Sequence, residues 1–189
     1  MTAIDNDPLV WIRGDMLQLY TSPDEYICQQ LNCVAVRPHG LSAVLSRAFP
    51  YSDVYGERRQ LGQRNLAIAS DRSTPGHIAV RVDSERRCRP TIVGIFGQYS
   101  YGRAGVYTMH GDAIDDSNEA RERYFAYALR VLRWHAKREG VRTIVFPGGI
   151  GCNLAGGAWP HYVEMLRNFA RDAPFRVHVV CIDGRWMPV

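Results

Sequence analysis

The chain contains 189 residues, of which 46% are hydrophobic and 22% are charged. This length suits a single domain over residues 1–189, and the composition excludes a disordered or low-complexity chain. No segment approaches the roughly 20 consecutive apolar residues of a membrane span. The five cysteines form no C-x-x-C pair. We therefore expect an intracellular protein, cytoplasmic or nuclear, with no metal site and no membrane partner.

The charge composition raises the question of a nucleic-acid partner. The net charge is +4, and Lys137 is the only lysine among 23 basic residues. Arginine suits phosphate groups because its planar guanidinium binds two oxygens at once. A basic module that binds nucleic acid is therefore one interpretation. The arginines are scattered along the sequence, however, whereas such proteins usually concentrate their charge on one stripe. This scatter argues against a nucleic-acid partner.

Strand and helix patterns alternate along the chain. The long helix has the spacing of a capping box at Asp116 and Glu119, and Gly140 marks its end. Residues 51–75 are polar and predicted to be irregular. Alternating elements predict an α/β fold whose central sheet is covered by helices on both faces. In chain order we predict a strand over 8–13, a strand over 26–36, a helix over 40–49, strands over 77–83 and 90–98, the long helix, a strand over 142–146, a helix over 159–172 and a strand over 175–182.

The most informative segment is the loop 147–157, which contains five glycines between a strand and a helix. Glycines let backbone amides approach an anion, and the N-terminus of the following helix favours negative charge. The loop therefore predicts a phosphate cradle. It is not a P-loop, because that motif ends in Gly-Lys-Ser/Thr and this loop has Gly156-Gly157-Ala158. It is not a dinucleotide-binding loop, because Leu154 occupies the third glycine position.

Two further segments lie at predicted strand ends. Asn32 lies near the end of the second strand, and its amide group suits ribose hydroxyls. Gly40 begins the next helix, whose N-terminus offers another site for a phosphate. The first strand ends at Gly14 and Asp15, whose carboxylate can accept a hydrogen bond from an adenine amino group. Taken alone, each of these residues is also common in turns and helix caps.

Together, the three segments resemble the macrodomain family, whose members bind ADP-ribose. The resemblance covers about residues 8–182 and is closest to the branch of ADP-ribose-1″-phosphate phosphatases and ADP-ribosyl glycohydrolases. That branch has Asn-Cys after its second strand and a Gly-x-Gly-Cys-Gly-Leu loop before an aromatic residue. The matching positions are Asn32-Cys33, residues 149–154 and Trp159. The resemblance implies a three-layer α/β/α sandwich with a central mixed sheet.

The resemblance also implies roles for individual residues. Asp15 would bind the adenine, assisted by the Met16 amide, and Asn32 would face the distal ribose. Gly40 and the glycine-rich loop would bind the diphosphate, without any cofactor. The loop residues implied are Gly148, Gly149, Ile150, Gly151, Cys152, Asn153 and Leu154.

Catalysis is less clearly indicated. Some relatives have an acidic residue where this chain has Ala155 or Ala158, and Asn153 replaces a loop glycine. His39 lies just before a helix N-terminus, where the helix dipole favours a neutral imidazole that can deprotonate a water. Contact with the diphosphate or capping of the helix would equally explain this histidine.

Three further positions remain open in the sequence. His110 and His161 are other candidate bases, and residues 98–102 would form an aromatic wall beside the distal ribose. With Asn32 and His39 as the catalytic pair, we expect slow removal of ADP-ribose from modified protein side chains or from ADP-ribose-1″-phosphate. A non-catalytic module that binds ADP-ribose or ADP-ribosylated proteins is the alternative.

Overall fold

The computed structural model describes residues 7–85, 88–105 and 114–188. Within these residues the strands form one sheet, with members β1 (Val10–Arg13), β2 (Glu25–Asn32), β3 (Ile78–Arg81), β4 (Thr91–Gln98), β5 (Thr143–Pro147) and β6 (Arg176–Cys181). Their order across the sheet is β1-β6-β5-β2-β4-β3. The β3–β4 pair is antiparallel and the other neighbours are parallel. The predicted mixed sheet is confirmed.

Helices cover both faces of this sheet. They are α1 (Met16–Leu19), α2 (Leu41–Ala48), α3 (Asn118–Glu139) and α4 (Trp159–Ala170). On one face, α3 and α4 bury Phe125 and Leu166 against Ile144. On the other face, α1 and α2 bury Met16 and Leu45 in a second core cluster. The three-layer α/β/α sandwich is therefore confirmed. None of the described helices combines the length and hydropathy needed to cross a bilayer.

The predicted second strand is too long at its carboxyl end. β2 stops at Asn32 because the Asn32 side chain folds back onto the following turn. Its Oδ1 accepts hydrogen bonds from the amides of Val34 at 3.1 Å and Ala35 at 2.7 Å. A local side-chain acceptor of this kind competes with the strand ladder for backbone donors. Residues 33–36 therefore form the start of a loop.

The start of α3 also differs from the sequence prediction. The N-cap is Ser117, whose side chain accepts from the amide of Ala120 at 3.1 Å. The side chain of Asp116, the expected cap, is buried and binds amides of the loop after β4 instead. The short helix α1 was not predicted, and Asp15 is its N-cap. The region predicted to be irregular contains two short 3-10 turns, Pro50–Ser52 and Ala69–Asp71.

The sheet topology determines where a ligand site can form. Five strands run parallel, so their carboxyl ends meet at one edge of the sheet. Open sheets of this kind bind ligands outside the carboxyl ends of their strands. The loops that follow β1, β2 and β5 are the three segments that the sequence singles out. The fold therefore brings distant parts of the chain to a common edge.

We predict that two half-buried histidines make stability pH-dependent. Burial lowers the pKa of His135 and, together with the charge of Arg176, that of His178 below the ordinary value of 6.5. Each histidine therefore has a lower pKa in the folded protein than in the unfolded chain, and between these values the unfolded chain binds more protons. The free energy of unfolding thus falls as pH drops below about 6.5. Urea unfolding from pH 5 to 7.5 should show this loss. The double variant His135→Gln, His178→Gln should show a shallower pH dependence, and equal slopes would contradict the prediction.

Candidate functional site

A cavity of about 580 Å³ opens at the carboxyl ends of β2, β4 and β5. This volume lies within the range of small-molecule sites. The lining comes from residues 30–42, from Tyr55 and Asn65, from residues 98–102 and from residues 147–155. Four separate parts of the chain therefore form its walls.

The glycine-rich loop forms one wall through two tight turns. The Ile150 amide donates to the Pro147 carbonyl at 3.1 Å, and the Cys152 amide donates to the Gly149 carbonyl at 2.9 Å. Gly151 has φ +76°, and a Cβ at this position would overlap the Tyr162 ring. Only glycine is compatible with both conditions. Within the described part of the chain, the amides of residues 149, 151 and 153 have no protein acceptor.

Six of the seven predicted loop residues line the cavity, and Cys152 is the one that does not. Its side chain packs into the core beside α3 and α4. Its thiol donates to the Ile150 carbonyl at 3.3 Å, and burial raises its pKa to about 12. This side chain is therefore a packing group, and only the backbone of Cys152 belongs to the loop that borders the cavity.

The N-terminus of α2 forms the opposite wall. Gly40 is its N-cap with φ +56°. The Ser42 hydroxyl accepts from the His39 amide at 3.0 Å and donates to the His39 carbonyl at 2.8 Å, which closes the turn. The His39 side chain is exposed and lines the cavity. The exposed Leu154 side chain lies 3.3 Å from where a Gly40 Cβ would be, so the two walls approach each other at this point.

Asn32 lines the cavity, but most of its side-chain hydrogen-bonding capacity is already used. Its Oδ1 accepts from the two amides of the following turn. Its Nδ2 donates to the Tyr55 hydroxyl at 3.1 Å, and the same hydroxyl accepts from the Asn32 amide at 3.0 Å. Burial raises the pKa of Tyr55 to about 12, which keeps it a neutral phenol. Since Nδ2 has no other partner among the described residues, one of its hydrogens remains for a ligand or a water.

Asp15 and Met16 do not line this cavity. Asp15 accepts from the Leu17 amide at 3.0 Å as the cap of α1. Gly14 and Gly148 both donate to carbonyls of the β6 end, because β1 and β5 flank β6. Two strand spacings therefore separate the Asp15 turn from the glycine-rich loop by about 10 Å. A ligand that contacts both must be elongated.

A buried ion pair connects α3 to the loop after β4. Nη2 of Arg121 lies 2.6 Å from Oδ2 of Asp116, and the two side chains are 2% and 4% exposed. The Asp116 carboxylate accepts from the amides of Tyr99 at 2.8 Å and Ser100 at 3.0 Å. Every oxygen of this buried carboxylate therefore has a donor, which burial of a charge requires.

The same arginine also reaches the glycine-rich loop. Nη1 of Arg121 donates to the carbonyl of Gly102 at 2.7 Å and to that of Ala155 at 3.1 Å. Gly102 and Ala155 both line the cavity, but they follow different strands. One guanidinium therefore holds two walls of the cavity in a fixed relation.

Several lining residues were not predicted from the sequence. Gln30, Tyr55 and Asn65 line the cavity. Asn65 fixes the loop after β2, because its Oδ1 accepts from the amides of Val36 and Arg37 at 3.0 and 2.9 Å. Residues 55 and 65 belong to a region without helical or strand periodicity. These two residues reach the cavity because the folded chain places them against the loop after β2. No pattern in the sequence shows that contact.

The remaining sequence candidates separate into two groups. Of the predicted wall 98–102, Gln98, Tyr101 and Gly102 line the cavity, whereas Tyr99 is buried in a core cluster and does not. His161 does not line the cavity, and its Nδ1 lies 2.8 Å from Oε1 of Glu122. His110 lies outside the described residues. Among the described lining residues none is Asp or Glu, and the described chain contains no cluster of potential metal ligands.

Sequence comparison and structural comparison give different results for this chain. No family model and no curated protein sequence matches it. Solved macrodomains are similar in structure. The Mycobacterium tuberculosis DarG macrodomain has a TM-score of 0.64 at 18% identity, over 92% of this chain and 97% of that one. Thermosipho africanus DarTG in complex with ADP-ribose has a TM-score of 0.66 at 15% identity, over 95% of this chain and 43% of that one.

A third structure extends the comparison to a eukaryote. The Trypanosoma brucei macrodomain in complex with ADP-ribose has a TM-score of 0.57 at 11% identity, over 93% of this chain and 64% of that one. The chain is thus an α/β/α sandwich with a cavity at the carboxyl edge of its sheet. This fold is the macrodomain fold, so the resemblance stated from the sequence is confirmed at the level of the fold.

We predict that the buried ion pair is essential to stability. Arg121→Met leaves the buried Asp116 carboxylate without its cation, which should lower the free energy of unfolding by about 3–5 kcal/mol. The matched control is Arg123→Met on the same helix, whose ion pair with Asp115 is exposed on both sides. Exposed pairs contribute little, so the control should change stability far less. Equal urea midpoints for the two variants would contradict this assignment.

Proposed function

We propose that the cavity binds ADP-ribose. The observation that carries this proposal is the pairing of two anion-binding elements across one cavity in a macrodomain fold. Amides of residues 149, 151 and 153 have no acceptor within the described chain on one side, and the α2 N-terminus lies on the other. Both elements favour negative charge. The diphosphate of a nucleotide would supply that charge.

The charge of the cavity supports an anionic ligand. Arg37 and His39 are exposed at the lining, and no described lining residue is acidic. The Asp15 turn lies about 10 Å from the loop, at a distance that an adenosine group beyond the diphosphate would span. Among the described residues, Asp15 accepts a hydrogen bond through Oδ1 alone, which leaves Oδ2 for an adenine amino group. The distal ribose would lie towards Asn32 and Tyr101.

We further propose that the protein slowly hydrolyses ADP-ribose esters of acidic side chains or of phosphate. A water held by the free Nδ2 hydrogen of Asn32 would attack the anomeric carbon, and the His39 imidazole would take its proton. The bond from that carbon to the acceptor oxygen breaks, and its electron pair leaves with the carboxylate or phosphate. Such a leaving group needs no proton, so the reaction requires no general acid.

A non-catalytic ADP-ribose reader is the second candidate. Its supporting observation is the absence of Asp and Glu among the described lining residues, together with the alanines at 155 and 158. The Ala155 carbonyl is bound to Arg121, and Ala158 is the N-cap of α4, so both positions serve the scaffold. A reader keeps the binding walls and lacks a group that activates water.

We predict that calorimetry will detect ADP-ribose binding with a Kd in the micromolar range or tighter, about −8 kcal/mol. AMP should bind more weakly because it lacks the distal ribose and one phosphate. Asp15→Ala should reduce the binding free energy by about 1.5–3 kcal/mol through loss of a charged hydrogen-bond partner. Asp15→Ser is the control for the helix cap, because serine caps α1 but has no carboxylate.

Both Asp15 variants should therefore lose affinity, while only the alanine variant loses cap stability. Equal affinity for ADP-ribose and AMP in the parent protein would contradict the proposed ligand. An Asp15→Ser variant with full affinity would leave the ligand in place and remove the adenine contact.

We predict that the protein releases ADP-ribose from carboxylate-linked acceptor protein, or phosphate from ADP-ribose-1″-phosphate. His39→Ala should lower the release rate by about 10²–10⁴-fold, the usual contribution of a general base. Asn32→Asp keeps the oxygen that accepts from the turn amides but removes the Nδ2 donor, so it should slow release without unfolding the turn. His77→Ala is the histidine control, since His77 is exposed and does not line the cavity.

The two candidate functions then differ in outcome. Tight ADP-ribose binding without release from either substrate would establish the reader. Release that survives both His39→Ala and Asn32→Asp would retain the hydrolase and exclude these two residues from its mechanism.

A further inference from the structure

The solvent-facing side of α3 exposes two large aromatic rings. The side chains of Tyr127 and Trp134 are 51% and 62% exposed. They are seven residues apart on one helix, so they lie on the same side and about 10 Å apart along the axis. Isolated exposed aromatics are ordinary, but two in register on one helix face form a surface with a defined geometry.

Basic side chains alternate with these rings. Residues three or four apart share a helix face, and this spacing adds Arg123, Arg130, Lys137 and Arg138 to the face, with Glu119 at its start. We call this set, from residue 123 to residue 138, the α3 outer face. Among the described residues, Arg130 and Lys137 form no ion pair. Charges that are scattered in the sequence are therefore brought together by the helix.

Neighbouring groups hold both rings in place. The Arg138 guanidinium carbon lies 4.6 Å from the centroid of the Trp134 ring. The turn at Gly76 packs against Tyr127, since a Cβ at Gly76 would lie 3.1 Å from Tyr127 Cδ1. Rings that are already fixed lose less conformational entropy when a partner stacks on them.

We propose that the α3 outer face binds single-stranded nucleic acid. Bases would stack on Tyr127 and Trp134, and the intervening phosphates would contact Arg130 and Lys137. Aromatic platforms combined with a cationic track are the features by which proteins bind single strands without reading their sequence. The site is separate from the cavity, because Trp134 lies 13 residues beyond Arg121, about 20 Å along the helix.

Other partners fit this surface less well. An interfacial membrane helix inserts a broad apolar face, but the apolar side chains of α3, such as Phe125 and Leu132, are buried against the sheet. A second helix would need a continuous apolar row, and cations interrupt the two rings. An acidic peptide would match the cations but would leave the rings unexplained. Duplex DNA keeps its base faces inside the helix, where the rings cannot reach them.

The experiment is fluorescence anisotropy of a labelled 12-nucleotide single strand with the full chain, at 50 and 200 mM salt. We expect binding that weakens with salt, because cations on the protein release counterions from the strand. Tyr127→Ala and Trp134→Leu should each weaken binding by about 5- to 100-fold, from the known contribution of base stacking. Trp134→Phe should retain most of the affinity because it keeps a ring.

Matched control variants distinguish this face from general attraction of the strand to a basic protein. Arg130→Ala and Lys137→Ala should each reduce the salt dependence, whereas Arg47→Ala, an exposed arginine on α2, should leave it unchanged. Saturating ADP-ribose should not displace the strand, since the cavity lies elsewhere.

Four results would overturn the proposal. They are no binding at 50 mM salt, unchanged affinity in Trp134→Leu, equal affinity for duplex of the same sequence, and displacement by polyglutamate at equal charge concentration. The last result would assign the surface to an acidic protein partner. ADP-ribose binding can fail or succeed independently of all four, so the two proposals are tested separately.

Discussion

The buried ion pair between Asp116 and Arg121 connects the parts of the chain that surround the cavity. Its carboxylate binds amides of the loop after β4, and its guanidinium binds carbonyls of that loop and of the glycine-rich loop. Burying two charges is expensive, and isolated buried pairs are often no more stable than apolar replacements. What this buried pair contributes is the fixed geometry of the cavity walls. The pair fixes the spacing between two loops that share no backbone hydrogen bond within their described residues.

This arrangement explains how a glycine-rich loop can serve as a rigid wall. Five glycines carry a large entropic cost when they are ordered. Turn hydrogen bonds, packing of Tyr162 beneath Gly151 and the Arg121 contact at Ala155 together offset that cost. The loop amides that have no acceptor among the described residues are then held in a fixed array. Preorganised donors of this kind bind an anion without the entropic cost of ordering the loop at the moment of association.

The sequence predicts the fold class well because hydrophobic periodicity and glycine placement are local properties. The mixed sheet and the α/β/α layers follow the resemblance. The predicted strands and helices agree with the structure apart from their ends, and only the short helix α1 was missed among the described helices. The errors at element ends come from side chains that bind backbone groups other than the expected ones. Asp116 has the spacing of a helix cap but binds the loop after β4, and Asn32 ends its strand early.

The site is predicted less completely than the fold. The loop 147–157, Gly40 and His39 can be found from the sequence because each marks a strand end or a helix start. Tyr55 and Asn65 cannot, since their contribution depends on how an aperiodic segment folds against the loop after β2. The separation of Asp15 from the cavity likewise depends on β6 lying between β1 and β5, and strand order is not a local property.

A diphosphate held between the glycine-rich loop and the α2 N-terminus would be visible in a crystal structure of the protein with ADP-ribose. We expect phosphate oxygens within about 2.7–3.2 Å of loop amides in residues 149–154. We also expect the adenine beside Asp15 and the distal ribose beside Asn32. A diphosphate bound away from both the loop and the α2 N-terminus would be incompatible with the proposed site.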